Sequence, residues 1–334
     1  MQVSITGIKP TGVPHLGNYL GMIRPAVSLA ERTDALCFVA DYHAMTTTRD
    51  AAVLRAQSVE VAATWLALGF DADRSVLYRQ SDLPEVCELV WILSCVTPKG
   101  LLNRAHAYKA AVQENRGAGR DDDAGVSMGL FNYPLLMAAD ILIHRAELVP
   151  VGLDQQQHVE ITRDIAQAFN AQFGDVFVVP EAVIDDAVMT IAGTDGRKMS
   201  KSYHNVVPIL ASPDELRRAV MSIVTDSRAP YERKDPDQCN VFNLYRHVAP
   251  VDEVDDMAER YRAGAIGYRD AKDRLFAALE REFCAPRARY QELMRDPRRV
   301  EAVLERGAER ARAGARRVLS DAREAVGLRG FMGA

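Results

Sequence analysis

A parallel α/β sheet with helices on both faces, followed by a smaller all-helical part, is the fold that this 334-residue chain predicts. Three observations carry that expectation. Short strand-like runs alternate with helix-period stretches through the first half. The inner runs are continuously apolar, as strands buried on both faces of a parallel sheet are. Beyond Pro208 strand-like runs all but disappear, and Arg, Glu and Ala recur at helical spacing.

Val3 and Ile5 alternate with polar residues, GIKPTGVP breaks the chain, and HLGNYLGMIRPAVSLAER follows: strand, Gly/Pro loop, helix. The run ALCFVADYHAM, from Ala35, predicts a second, buried strand. Over 51–68 the apolar positions Val53, Leu54, Val59, Val61, Ala62, Trp65 and Leu66 take a helical period, and SVLYRQS returns to strand. YPLLMAADIL (133–142) predicts a helix, and ELVPV (147–151) and DVFVVPE (175–181) predict two further strands. Ser212 with Glu215 three residues on is the sign of a helix start. The stretch 251–328 is helical by period, and a domain transition is placed at 203–210. Ligands of such sheets bind beyond the carboxyl ends of the strands, so the loops there are where chemistry is expected.

Composition narrows the classes. The chain is 48% hydrophobic and 26% charged with a formal net charge of −5, which argues against a polycation that coats nucleic acid while leaving room for a local basic surface. Length favours about two domains. No apolar run approaches a membrane span, and MQVSITGIKP lacks the charged and apolar regions of a signal peptide. Five scattered cysteines without C-x-x-C spacing predict free thiols in a reducing, cytoplasmic setting, not disulfides or metal ligands.

Five stretches carry candidate chemistry. In TGVPHLGNYLG, His15 and Asn18 share a helix face, and Gly17 and Gly21 leave a strip without side chains at a helix N-terminus suited to phosphate; tight packing on the sheet is the other reading. In GRKMSKSYHN, Lys198 and Lys201 lie three apart on a Gly-hinged loop, either an exposed basic loop or two point charges for a polyphosphate. In 133–142, Tyr133, Met137, Asp140 and Ile141 fall on one face, apolar but for the carboxylate. Asp140 either pairs with Arg145 or Arg163, or presents an acceptor to a ligand N–H in an oily pocket, a match for the donor-only indole. In GLDQQQH, Asp154 and Gln157 have the spacing of a capping box. His43, in VADYHAMT, reads as a partly buried histidine after the second strand.

P-H-L-G-N after the first strand and K-M-S-K-S at the end of the sheet resemble the two signatures of the class I aminoacyl-tRNA synthetases. The first departs from the H-I-G-H pattern at Leu16 and Asn18; the second, Lys198 to Ser202, matches residue for residue. M-A-A-D-I-L and D-Q-Q-Q-H are similar to the tryptophan-specific branch, with the tyrosine-specific branch and a non-catalytic RNA- or nucleotide-binding relative as alternatives. The resemblance spans roughly residues 3 to 330. It implies a Rossmann-like catalytic domain over 1–203 with a connecting insertion at 98–130, and a helical C-terminal domain over 204–334 that reads the tRNA anticodon. It implies Lys198, Lys201 and Asn18 as catalytic, with the lysines holding the departing pyrophosphate. Lys9, Pro10, Thr11, His15, Gly17, Gly152, Leu153, Asp154, Val188, Met199, Ser200 and Ser202 would join them around ATP. Asp140, Tyr133, Met137, Ile141, Gln155 and His43 would bind tryptophan.

The same resemblance implies activation of L-tryptophan by Mg-ATP, transfer to tRNA(Trp), a homodimer, and no membrane partner. Ile5 stands where many relatives carry an aromatic, and Lys9 where others have an amide. Only Cys239 lies where some relatives hold an iron–sulfur cluster with closely spaced cysteines, so no cluster and no protein-bound metal are expected. Between 287 and 317 ten arginines face five acids, which suits a solvated helix face with i,i+4 pairs or contact with RNA phosphates.

Overall fold

The structure, a computed structural model, describes residues 1–184 and 191–330. Strand β1 (Val3–Ile8) runs into the Gly/Pro loop, then a short helix α1 (Leu16–Asn18), a π-helical stretch (Tyr19–Ile23) and α2 (Arg24–Ala30). β2 (Asp34–Val39) follows, in register from Val3 against Asp34 to Ile8 against Val39. The apolar run stops pairing there, and α3 (Asp41–Ala44) carries His43 past the strand end. α4 (Ala51–Ala67) opens on Asp50, whose carboxylate accepts from the Ala52 and Val53 amides at 2.7 and 3.1 Å. β3 (Val76–Arg79) leads through a 3-10 turn at Gln80–Asp82 to α5 (Glu85–Ser94), α6 (Lys99–Leu102) and α7 (His106–Gly117). α8 (Met128–Leu142) begins five residues earlier than the apolar pattern implies, because the Ser127 hydroxyl caps the Leu130 amide.

β4 (Leu148–Pro150), α9 (Gln156–Phe173) and β5 (Glu181–Val183) complete a five-stranded, all-parallel sheet in the order β3-β2-β1-β4-β5. The predicted strand DVFVVPE is displaced: the pairing residues are Glu181 to Val183, after the apolar run. The Asn170 side chain binds the amides of Val176 and Phe177 and the carbonyl of Phe177, and Arg163 takes the carbonyl of Pro180. These side chains satisfy backbone groups that a ladder would otherwise use.

Strand order reverses direction at β1, which has β2 on one side and β4 on the other. β1 pairs with β4 through Ser4 and Leu148, and the Thr6 hydroxyl donates to the Pro150 carbonyl at 2.9 Å; ligands of open α/β sheets bind beyond this carboxyl end, at the point where the order reverses. The sheet separates two cores by its period of two. Cys37, Val39 and Leu77 face α2, α4 and the helical half; Ile5, Phe38, Tyr78 and Val149 face α5, α8 and α9.

The later helices are α10 (Pro213–Met221), α11 (Asn240–Tyr245), α12 (Val251–Ala263), α13 (Tyr268–Arg295) and α14 (Pro297–Ala325). The predicted cap is present: Ser212 and Glu215 exchange backbone-to-side-chain bonds at 3.4 and 3.0 Å. α14 returns to the sheet and lies along β3, with Ala308, Ala311, Ala315 and Leu319 in the second core. Gly307 is what lets it approach, since a Cβ there would stand 1.8 Å from the Leu77 carbonyl oxygen.

Candidate active site

One end of the candidate site is a buried polar cluster in an apolar wall. Asp140 is wholly buried on α8, with Ile141 also buried and Met137 and Tyr133 half-buried. Neither Arg145 nor Arg163 reaches it: the first bonds the Val176 carbonyl and Asp321, the second the Pro180 carbonyl. The partners are His43, with Nε2 3.0 Å from Oδ2, and Gln80, whose amide nitrogen lies 2.9 and 2.8 Å from the two oxygens. Burial pushes the Asp140 pKa up, and the bonds from His43 and Gln80 oppose that rise. Tyr133 stands edge-on to the His43 ring and its hydroxyl meets His158 Nε2 at 2.8 Å. Burial lowers the His158 pKa to about 4, which leaves the ring neutral.

The other end is built from three loops. The His15 amide donates to Asn18 Oδ1 at 3.2 Å, and the Leu16 amide to the Val207 carbonyl at 2.9 Å, which ties the first loop to the segment after Lys201. Burial, reinforced by the Lys201 ammonium, lowers the His15 imidazole to about 4; its Nδ1 is buried without a partner among the described residues. The strip expected to be bare at Gly17 is covered: its amide points at Met199 Sδ, 3.3 Å away, and Met199 is buried.

Lys201 is half-buried and donates to the Thr11 carbonyl at 2.7 Å, beside Gly12 in its left-handed conformation. Lys198, more exposed, stands 4.0 Å from Asp154 Oδ2, which also takes a bond from Gln155 Nε2 at 3.3 Å. The two ammonium groups therefore face loops after different strands, Thr11 after β1 and Asp154 after β4. Lys9 turns toward the other end and donates to the Thr46 hydroxyl at 3.3 Å; Thr46 in turn donates to the His43 carbonyl.

The lysine loop is not the loose hinge that its glycines suggest. Asn205, 2% exposed, bonds Asp195 Oδ1 at 2.7 Å and the Lys198 carbonyl at 3.1 Å, and accepts from the Ser200 amide at 2.8 Å. Gly193 is required because Asn205 fills the space a Cβ would occupy, with its carboxamide carbon 2.4 Å from that position. Arg197 pairs with Asp195 and lies 4.6 Å from the centre of the Tyr203 ring. Asn205 was not legible as a site residue; its only sequence signal is its place three residues after Ser202.

Sequence-predicted residues are thus brought together in two groups. Lys9, Pro10, Thr11, His15, Gly17 and Asn18 share the first loop with Met199 to Ser202 across from it, and Gly152 to Asp154 flank them on the β4 side. His43, Tyr133, Met137, Asp140 and Ile141 form the second group. Val188 lies outside the described residues. The capping box expected of Asp154 and Gln157 is not formed. Gln157 instead accepts from the His106 amide at 3.0 Å and donates to the Arg104 carbonyl at 3.1 Å, fastening the start of α9 to the start of α7. Gln80, His158 and Thr46 were missed; Gln80 follows the third strand, where the carboxyl-end rule points.

A family model described as tRNA synthetases class I (W and Y) matches residues 3–284. The chain is 52% identical over 330 residues to the tryptophan–tRNA ligase of Pseudomonas aeruginosa, covering 97% of this chain and 73% of that one. It is 47% identical over 328 residues to the tryptophan–tRNA ligase of Neisseria meningitidis serogroup A, covering 97% of each. Among solved structures, the tryptophanyl-tRNA synthetase of Campylobacter jejuni complexed with ADP and tryptophan aligns with a TM-score of 0.87 at 41% identity, covering 98% of this chain and 100% of that one.

Proposed function

The chain belongs to the class I tRNA synthetases of the tryptophan and tyrosine group, and within that family we propose how its residues divide the work. Its reaction is that of a tryptophan–tRNA ligase. The tryptophan carboxylate attacks the α-phosphate of ATP, pyrophosphate leaves, and the terminal ribose of tRNA takes the acyl group from the adenylate. The observation that carries the residue assignment is Asp140, a wholly buried carboxylate held by donors on an otherwise apolar face, suited to a ring N–H. Tyr133, Met137 and Ile141 shape that wall, with His43 at its edge, and Gln155, which rests on Asp154, would reach the amino acid from the β4 side.

At the other end, Lys201 and Lys198 neutralise the pyrophosphate as its charge grows, and Asn18 and neutral His15 offer hydrogen bonds to the phosphates. Lys9, Pro10, Thr11, Gly17, Gly152, Leu153, Asp154, Met199, Ser200 and Ser202 line the nucleotide. Catalysis is positioning and charge stabilisation, with no covalent enzyme intermediate. Mg²⁺ travels with the ATP phosphates as part of the substrate. Pyrophosphate exchange into ATP with tryptophan, tyrosine and phenylalanine in turn tests the reading; exchange with tyrosine alone, or with none, overturns it.

Two partners complete the proposal. Trp91 on α5 is 72% exposed and Met128 at the start of α8 69%, apolar surface that a homodimer would cover. A monomer in sedimentation at micromolar concentration would contradict that. We place tRNA on the arginines of 287–317 that have no other task. Arg310 and Arg312 clamp α14 to the sheet domain through the Ala72, Arg74, Ser75 and Asp82 carbonyls, and Arg312 and Arg316 pair with Glu85. Arg287, Arg298 and Arg299 pair with Glu280, Asp296 and Glu292. Arg289, Arg295, Arg306 and Arg317 make no ion pair or hydrogen bond among the described residues, and Arg289 and Arg306 line a surface cleft of about 670 Å³.

Charge reversal at Arg289 and Arg306 is therefore expected to raise KM for tRNA and flatten its salt dependence, with pyrophosphate exchange unchanged. Unchanged tRNA kinetics would make these residues an ordinary solvated face. The cytoplasm, where tRNA is charged, is the proposed location; no helix among the described residues is long and apolar enough to cross a membrane.

A further inference from the structure

Gln80 is fully buried in the turn after β3, at the same strand end as the site, between α3 and α8. Its side chain is committed at both ends. Oε1 accepts from the backbone amides of Tyr42 at 3.1 Å and His43 at 3.4 Å, and Nε2 donates to both oxygens of Asp140 at 2.9 and 2.8 Å. The orientation of the amide is fixed by chemistry. The two backbone groups are donors only and an ionised carboxylate is acceptor-only, so the oxygen must face α3 and the nitrogen Asp140. A carboxylate has about four lone-pair sites. Gln80 uses one on each oxygen and His43 a second on Oδ2, which leaves the free site on Oδ1.

We propose that Gln80 is a positioning residue for amino-acid selection: it locks Asp140 to the backbone of the His43 segment so that the open acceptor on Oδ1 stays aimed at the substrate's ring N–H. The inference rests on the reading that Asp140 recognises the substrate ring. Two consequences follow from the geometry. The carboxylate cannot rotate to bury its free lone pair against the apolar wall, because both oxygens are already tethered. The Gln80 donor also favours the charged carboxylate, opposing the rise that burial imposes on the Asp140 pKa. The titratable groups facing Asp140 are His43 and Asp41 from α3 and Tyr78 from β3, with Tyr133 and His158 beyond the His43 ring. Of these His43 favours the charged carboxylate and Asp41 opposes it.

Two variants with opposite pH signatures test this. Gln80→Met keeps the length of the side chain and removes both the donor to Asp140 and the acceptor of the Tyr42 and His43 amides; the second loss falls on all substrates alike. Without that donor the Asp140 pKa rises, so tryptophan use is lost from a higher pH as the solution is acidified. At neutral pH kcat/KM for tryptophan in pyrophosphate exchange is expected to fall roughly 10- to 100-fold, the scale of a hydrogen bond to a charged group. Phenylalanine use should fall only by that common loss and KM for ATP should hardly change, since neither calls on Oδ1. Gln80→Glu places two carboxyls together that share one proton, which restores both the donor and the single negative charge. That variant should use tryptophan well at low pH and lose it as pH rises and the second proton leaves.

Matching losses for tryptophan and phenylalanine in both variants, or acid limbs that do not move, would reduce Gln80 to a packing residue. Asp140→Ala run alongside separates the two levels. Equal losses for all amino acids in Asp140→Ala overturn the reading of Asp140 itself. A tryptophan-selective loss in Asp140→Ala with none in Gln80→Met overturns the Gln80 assignment alone.

Discussion

Lys201→Ala is expected to slow adenylate formation by about 10²–10³-fold, the loss typical of removing one donor aimed at developing charge, while tryptophan binding changes little. The structure explains why the effect should fall on the rate. The Lys201 ammonium rests on the Thr11 carbonyl, 2.7 Å away, next to Gly12. Exchanging a neutral carbonyl for a phosphate oxygen gains most when that oxygen carries the charge of departing pyrophosphate, which is a transition-state gain and not a ground-state one. Burial lowers the Lys201 pKa, so its charge is poorly solvated where it rests and is strengthened by an anionic partner. Lys198, exposed and 4.0 Å from Asp154, has a weaker anchor, so Lys198→Ala is expected to act in the same direction with a smaller loss. Single-turnover formation of the adenylate and equilibrium binding of tryptophan measure the two quantities separately. Intact turnover with collapsed tryptophan binding would remove both lysines from this role.

The lysine pair was legible because short motifs after strands need no long-range information. What holds the pair was not. Asn205 reaches back to Asp195, Ser200 and Lys198, and a side chain that serves its own loop leaves no periodic trace in sequence. Strand existence followed from apolar runs, yet β5 starts only at the last residue of DVFVVPE because Asn170 and Arg163 satisfy the backbone before it from α9. The helical half was legible by period, but period cannot say what a helix packs on. Arg310 and Arg312 have the spacing of a solvated face and instead fasten α14 to loops more than two hundred residues earlier in the chain. Asp140 stood out as a carboxylate on an apolar face, and the arginines nearest in sequence were the natural candidates to pair with it. Its partners, His43 and Gln80, come from the ends of two other strands, a juxtaposition only the parallel sheet creates.

That juxtaposition sets the second large effect, on selectivity. Phenylalanine fills part of an apolar pocket but has no ring donor, so it would leave the open acceptor of a wholly buried carboxylate unmet. A site built around such a bond can reject the analogue that lacks it by about 10⁴-fold or more, whereas shape alone gives roughly 10- to 200-fold. Tyrosine carries its hydroxyl at the tip of a shorter ring system and need not meet an acceptor placed for an indole nitrogen. Asp140→Ala is therefore expected to weaken tryptophan use by about 1.5–3 kcal/mol, the range for a hydrogen bond to a charged group, and to narrow the gap to phenylalanine. Part of any general loss will come from Gln80 and His43, which the substitution leaves without their acceptor; that part falls on all substrates alike. The selective part is isolated by kcat/KM in pyrophosphate exchange for tryptophan, tyrosine and phenylalanine, wild type against variant. Equal losses for all three would mean that Asp140 holds α3 and the turn after β3 in place and does not read the ring. A loss confined to tryptophan would assign the recognition to a single buried carboxylate.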